Sequence, residues 1–317
     1  MRTRQKNIVV IGGGTGVYSV LSGLKRYPHS LSAVVSMADD GGSTGVLREE
    51  FGILPPGDVR RALVALSESE KFLSDLFNYR FNEGSLEGHN FGNLFITALE
   101  RLTGDFEEAI EEAARLLRVR GSIIPVTLTD TRLFAELENG NIVRGEANID
   151  IPKHDPTLKI TRVYLEPHAR ANERALEAIR RAHLIVIGPG DLYTSILPNL
   201  LVEGLRGAIR RAPAKKVYVC NLMTKLGETN GYGTADFVRE IERYLGRNTL
   251  DVVLVNNKPP RRSRLLYYLY HDGSEPVRNN FESGELPHRV MEMDLLREGN
   301  FVRHDPEKLA TALTSFL

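Results

Sequence analysis

Three short loops within the first 58 residues carry residue types suited to holding a phosphate-bearing ligand. They are Gly12-Gly13-Gly14-Thr15-Gly16, Ala38-Asp39-Asp40-Gly41-Gly42-Ser43-Thr44-Gly45 and Leu54-Pro55-Pro56-Gly57-Asp58. Glycines let backbone N–H groups approach an anion, and a helix starting at such a loop points its positive end at the same spot. Adjacent carboxylates need water, a cation or donors to coexist. The hard oxygens of Asp39, Asp40 and Asp58 suit a Mg²⁺ ion bridging a diphosphate, while a turn cap facing solvent is the alternative for each. In extended backbone Asp39 and Asp40 point to opposite sides, so one can face a ligand while the other caps a turn. Asp40 and Asp58 are expected to share the cation, with Asp39 partly structural. In a transferase, Asp40 and Asp58 would also be the catalytic candidates.

A later loop, Gly188-Pro189-Gly190-Asp191-Leu192-Tyr193-Thr194-Ser195, repeats this logic. Thr194 and Ser195 can donate to phosphate or hold a cation. A serine nucleophile is disfavoured, because the G-x-S-x-G elbow is absent. His89 and Asn93 would share one face of a helix running through both, offering hydrogen bonds to a sugar or base; helix capping is the alternative. No second histidine stands at zinc-ligand spacing to His89. Asn221, Thr224, Glu228 and Thr229 form a polar strand-end loop expected on the same crevice, and Arg303 is a candidate phosphate partner. Cys220 reads as a small buried residue. Arg60-Arg61 and Arg261-Arg262-Ser263-Arg264 read as solvated faces.

The elements that must position these loops alternate between strand and helix. Apolar runs at 8–11, 31–37, 184–187, 217–221 and 251–255 read as strands ending in turns. Helical spacing follows at 17–26, 91–102, 106–117, 175–181, 200–209 and 235–245, and Asp58 stands at the expected N-cap of a helix after the Pro-Pro-Gly loop. The texture changes over about residues 122–165, which read as a small β-rich insertion. A C-terminal extension, about 259–317, supplies a last strand and helix. The expectation is one α/β domain over residues 1–317, Rossmann-like and doubly wound. Its sheet is mostly parallel, with the glycine loops at the carboxyl edge where such folds bind ligands.

Composition narrows the function. The 317 residues are 42% hydrophobic and 26% charged, with formal net charge +0, so no global field draws the chain to nucleic acid or an anionic membrane. Aromatics at 7% and the absence of Trp argue against a base-stacking platform. A single cysteine fits a reducing cytoplasm. Arg2, Arg4 and Lys6 precede an apolar run too short for a signal peptide, and no run approaches a membrane span.

Taken together and in order, the loops above, with Pro55-Pro56-Gly57-Asp58-Val59-Arg60, Gly88-His89, Gly92-Asn93-Leu94, Leu192-Tyr193-Thr194-Ser195 and Cys220-Asn221-Leu222-Met223-Thr224, closely resemble the YvcK-like gluconeogenesis factor family. That family is grouped with the CofD-like proteins, related to 2-phospho-L-lactate transferase. The resemblance spans nearly the whole chain. It implies a Rossmann-like fold, bacterial cytoplasmic residence and binding of a nucleotide sugar such as UDP-N-acetylglucosamine. It also implies a role in carbon metabolism and cell-envelope morphogenesis. In the transferase branch, the acids matching Asp39, Asp40 and Asp58 are associated with Mg²⁺ and the phosphoryl donor. The sequence departs from the family pattern at Asp191, where Ser is expected, at Arg61-Ala62 in place of Asn-Cys, and at Lys225 in place of Gln.

Two functions compete. One is a regulatory sensor that binds a nucleotide sugar and acts through a protein partner. The other is a Mg²⁺-dependent transferase moving a phospho-acyl or phospho-sugar group from a nucleoside diphosphate. An NAD-dependent oxidoreductase is disfavoured, because Val17 replaces the last glycine of G-x-G-x-x-G. The sequence leaves the oligomeric state open, a homo-oligomer included.

Overall fold

The computed structural model describes residues 5–281 and 289–317; Arg2, Arg4 and residues 282–288 of the C-terminal extension lie outside these. Seven strands share one sheet: β1 (Asn7–Gly12), β2 (Ser30–Val35), β3 (Ser122–Pro125), β7 (Leu184–Ile187), β8 (Lys215–Val219), β9 (Val252–Asn256) and β10 (Arg289–Met293). Their order is β10-β9-β8-β7-β1-β2-β3, and every pairing is parallel. The sheet order reverses at β1, the switch point where open α/β sheets leave a crevice. Helices cover both faces, which is why β1 and β7 are continuous apolar runs rather than alternating ones. Ile8, Val10, Ile11 and all four residues of β7 are fully buried.

Register delivers the loops together. Ile8 pairs with Leu184 and Ile11 with Ile187, so β1 and β7 end level and their glycine turns leave the sheet side by side. Helix α1 (Gly14–Leu24) begins inside the first glycine loop, three residues earlier than its apolar spacing suggests, and buries Val17, Val20, Leu21 and Leu24. Helix α2 (Gly42–Phe51) follows the Asp-Asp loop, and α3 (Pro56–Leu66) follows the Pro-Pro-Gly loop. Proline is preset for a first helical position. Pro55 is therefore the N-cap of α3, and Asp58 lies within the first turn rather than capping it. Its carboxylate is free to reach elsewhere.

The β-rich insertion is shorter than expected. Ile123, Ile124 and Pro125 are buried in the main sheet, because β3 pairs with β2. The separate antiparallel sheet holds β4 (Arg132–Leu137), β5 (Ile142–Arg144) and β6 (Ile160–Glu166) in the order β5-β4-β6. A helical turn, Glu146–Asp150, follows β5. Instead of one helix over 200–209, the chain coils at Leu192–Ile196 and Leu197–Leu200 and then forms Leu205–Arg211. The C-terminal segment is part of the core: β10 extends the sheet, and the helix Pro306–Thr314 packs on α1. Among the described residues no helix is long and apolar enough to cross a membrane.

Gly23 makes that last contact close, since a Cβ there would lie 2.0 Å from the Pro306 carbonyl oxygen. Gly23→Ala must push α1 and the C-terminal helix apart. Urea denaturation is expected to show a loss of about 1–3 kcal/mol, the usual scale for overpacking; unchanged stability would refute the contact.

Candidate functional site

The carboxyl edge of the sheet carries two joined cavities. The outer one, about 520 Å³, is walled by residues 13–16, Gly190, residues 221–226, Tyr268 and residues 302–304. The inner one, about 380 Å³, is walled by Asp39, residues 41–44, Asp58, three arginines (Arg60, Arg61 and Arg80), Asn93 and Glu146. Gly14, Thr15, Asp150, Asp191, Ser195 and Lys225 line both. Of the residues singled out in the sequence, Gly13, Gly14, Thr15, Gly16, Gly190, Ser195, Asn221, Thr224 and Arg303 reach the outer cavity. Asp39, Gly41, Gly42, Ser43, Thr44, Asp58, Asn93 and Thr194 reach the inner one. Gly12 and Gly188 shape the turns with φ of +151 and +72 without reaching a cavity wall.

The acidic residues are arranged differently from the expectation. Asp40 accepts a hydrogen bond from the Ala147 amide at 2.8 Å, at the start of the 146–150 turn, and so anchors the insertion. It lines neither cavity, and Asp39 takes the place assigned to it beside Asp58. Asp39 accepts from the Gly41 amide and the Thr44 hydroxyl, both at 3.0 Å. The two side chains do part to different partners, but the assignment of sides is reversed. Asp58 accepts from the Gly14 amide at 2.9 Å and from Arg61 at 2.8 Å. Gly13 permits that approach, because a Cβ there would sit 2.2 Å from the Asp58 carboxylate.

Burial and the neighbouring Asp58 raise Asp39 to about 6. Burial, then Asp39, Asp150 and Asp58, push Glu146 up to about 10. A cavity crowded with desolvated carboxyls favours a cation. Asp39 and Asp58, which line the inner cavity together, are the pair that could hold the hard Mg²⁺ ion that the resemblance implies, whereas Asp40 lies outside it. Among the described residues, the three carboxylates that come within 4.8 Å of one another are Asp150, Asp191 and Glu228.

Several other residues shift role. Arg60 is buried rather than solvated and donates to Asn93 at 3.0 Å and Asn78 at 2.7 Å. Arg61 is the counterion of Asp58. His89 lies before the helix Phe91–Thr103, whose N-cap is Asn90, so it does not share a helical face with Asn93. It reaches Ser43 at 3.3 Å and lines neither cavity. Tyr193 is core: it is 1% exposed, with its hydroxyl 3.0 Å from that of Tyr232. Glu228, expected on the crevice wall, is buried behind it, accepting from the Tyr193 amide and the Thr194 hydroxyl at 3.1 Å each. Cys220 is buried as expected.

Two residues that the sequence did not single out, Arg48 and His304, also shape the site. Arg48, buried beneath the Asp-Asp loop, donates to the Asp39 carbonyl at 2.8 Å and to Asp130 and Thr131. His304 lines the outer cavity with an unpartnered Nε2, and burial lowers it to about 4, so its ring is neutral near pH 7. Asn221 likewise leaves a buried, unpartnered Oδ1 there. Asp191 and Lys225, two of the departures from the family pattern, form an ion pair of 3.0 Å.

Fold and crevice together define an α/β protein with a ligand site at the switch point of a parallel sheet. The family profile described as 2-phospho-L-lactate transferase CofD matches residues 8–296. The chain is 41% identical to the gluconeogenesis factor of Bacillus subtilis, over 99% of both chains. It is 42% identical to that of Halalkalibacterium halodurans, over 98% of this chain and 96% of the relative. A crystal structure of a UPF0052 family member from Bacillus halodurans superposes with a TM-score of 0.93 at 42% identity, covering 98% and 99% of the two chains. The chain belongs to the CofD family and, within it, to the gluconeogenesis factors.

Asp39 gives a pH test. With a folded pKa of about 6 against an ordinary 3.8, the folded state holds the proton more tightly than the unfolded chain. Stability is therefore full below the ordinary carboxylate pKa and falls as pH rises through about 6. Asp39→Asn is expected to remove that decline and, by urea unfolding in EDTA, to be about 1–2 kcal/mol more stable than wild type at pH 7. An unchanged pH profile would count against the buried pair.

Proposed function

We propose that this chain binds a nucleotide sugar of the UDP-N-acetylglucosamine type and acts as a cytoplasmic regulatory factor. The observation that carries this reading is the make-up of the outer cavity. Glycine loops and the N-terminus of α1 meet there with Arg303, beside the partly apolar wall of Leu222, Met223, Tyr268 and Val302. Asn221 Oδ1 and His304 Nε2 add unmet hydrogen-bonding capacity in the same wall. Buried polar atoms without partners are costly, and a small turn of either side chain toward a sugar or base edge would satisfy them. The names of the relatives support a role in gluconeogenic carbon metabolism. The motif resemblance extends that role to cell-shape and cell-wall morphogenesis, exerted through a regulatory protein partner.

A second reading is favoured by the inner cavity. It is large enough for another small molecule, and it gathers Asp39, Asp58, Glu146 and Arg61 around a space that a diphosphate alone does not need. In that reading the chain transfers a phospho-acyl or phospho-sugar group from a nucleoside diphosphate. Asp39 and Asp58 would hold Mg²⁺, which supplies positive charge to phosphate oxygens. Arg61 would orient Asp58, and the walls would exclude water.

Calorimetric titration distinguishes these ideas. UDP-N-acetylglucosamine is expected to bind at least tenfold more tightly than NAD, and Asn221→Ala or His304→Ala should each weaken it by about tenfold, roughly 1.4 kcal/mol. Equal affinity for NAD would overturn the nucleotide-sugar reading. Asp58→Asn is expected to remove about 1–3 kcal/mol of Mg²⁺-dependent binding, whereas Asp40→Asn should leave that binding intact. Recovery of unchanged ligand supports the sensor. Release of free nucleotide in the presence of an acceptor, abolished in Asp58→Asn, would replace it with the transferase.

A further inference from the structure

Lys225 stands where the two cavities meet and lines both. Its ammonium donates to Asp150 and to Asp191, the latter at 3.0 Å, and Glu228 lies 3.6 Å away. Those three carboxylates each bring an oxygen within 4.8 Å of the others. Clustered hard oxygens of this kind are what a divalent cation selects, yet a side chain of the protein fills the seat. Burial opposes a charge on Lys225, but Glu228, Asp191 and Asp150 outweigh it and keep the ammonium protonated.

An ammonium has three N–H donors. Two are committed to Asp150 and Asp191, and Glu228 is beyond hydrogen-bond reach. The third is used by neither of these bonds, and Lys225 lines both cavities. Independently of this cluster, the outer cavity that Lys225 lines carries the buried, unpartnered Nε2 of His304, a residue 7% exposed. The wall that Lys225 shares with His304 therefore has a polar group with unused hydrogen-bonding capacity.

We propose that Lys225 is a built-in cation that determines specificity: it occupies the seat of a divalent ion between Asp150, Asp191 and Glu228 and directs its remaining donor at a diphosphate spanning the two cavities. This end of the ligand is then held without a metal. The diphosphate half rests on the function proposed above, while the occupancy of the cation seat does not.

The test uses the full chain, with Mn²⁺ alone as one probe and UDP as the other. By electron paramagnetic resonance without nucleotide, Lys225→Gln is expected to bind one Mn²⁺ at least tenfold more tightly than wild type. The double variant Lys225→Gln/Asp191→Asn, which removes one charge of each sign, should lose that gain. In EDTA, Lys225→Gln should bind UDP at least tenfold more weakly than wild type, and Mn²⁺ should restore the affinity in the single variant but not in the double. A folded Lys225→Gln that binds Mn²⁺ no better than wild type overturns the cation seat. Unaltered UDP affinity in EDTA overturns the ligand contact. Should the single variant fold only with Mn²⁺, the seat is supported. Should it fold under neither condition, the double variant decides, and wild-type-like UDP binding in EDTA then refutes the proposal. If wild type binds no nucleotide, the function proposed above fails while the Mn²⁺ arm still judges the seat.

Discussion

Everything at the carboxyl edge depends on the near-contact of two backbone turns, those following β1 and β7. A Cβ on Gly16 would lie 2.1 Å from the Pro189 carbonyl oxygen, and one on Gly190 would meet the Gly13 carbonyl oxygen at 3.4 Å. Parallel pairing of β1 with β7 forces this proximity, because both strands end at the same level. A side chain at residue 16 would separate the turns and, with them, the walls of both cavities. The glycines of the first loop therefore serve the protein's own packing as much as any ligand.

Electrostatics supply the second constraint. Asp58 sits over the start of α1 and takes the Gly14 amide, so the protein partly satisfies the helix end that an incoming anion would seek. Arg61 compensates Asp58, while Arg48 holds the backbone of the Asp-Asp loop from below. Asp40 ties the same loop to the insertion. The insertion in turn contributes Glu146 and Asp150, so the inner cavity is a product of two sheets. Carboxyls gathered at this density are costly in isolation and become favourable once a cation or hydrogen-bond donor arrives. That is a reason for the site to respond to what binds it.

Much of the fold was legible because β-branched runs ending in glycine turns have few other solutions. Ile8 to Ile11 and Leu184 to Ile187 read as buried parallel strands, as their β-branched content and glycine turns favour, and the ligand edge followed from the way such sheets are wound. The family resemblance rested on the same loops and holds. The insertion's boundary was misplaced because Ile123 and Ile124 are as suitable for a central strand as for a small separate sheet. Tyr193 sits in a motif that reads as ligand-binding, but a coil of unusual pitch turns it into the core.

The sequence by itself determined the class of fold, the loops that form the crevice and the residue chemistry available there, since these follow from local periodicity and turn geometry. Only the tertiary structure decided which of two adjacent aspartates faces Asp58, because that depends on Ala147, more than a hundred residues away. It likewise decided that Lys225 meets Asp150 and Asp191, 75 and 34 residues distant, and that His304 reaches the wall of the same cavity. Such contacts are set by how helices and insertions stack on the sheet. No period or spacing along the chain encodes them.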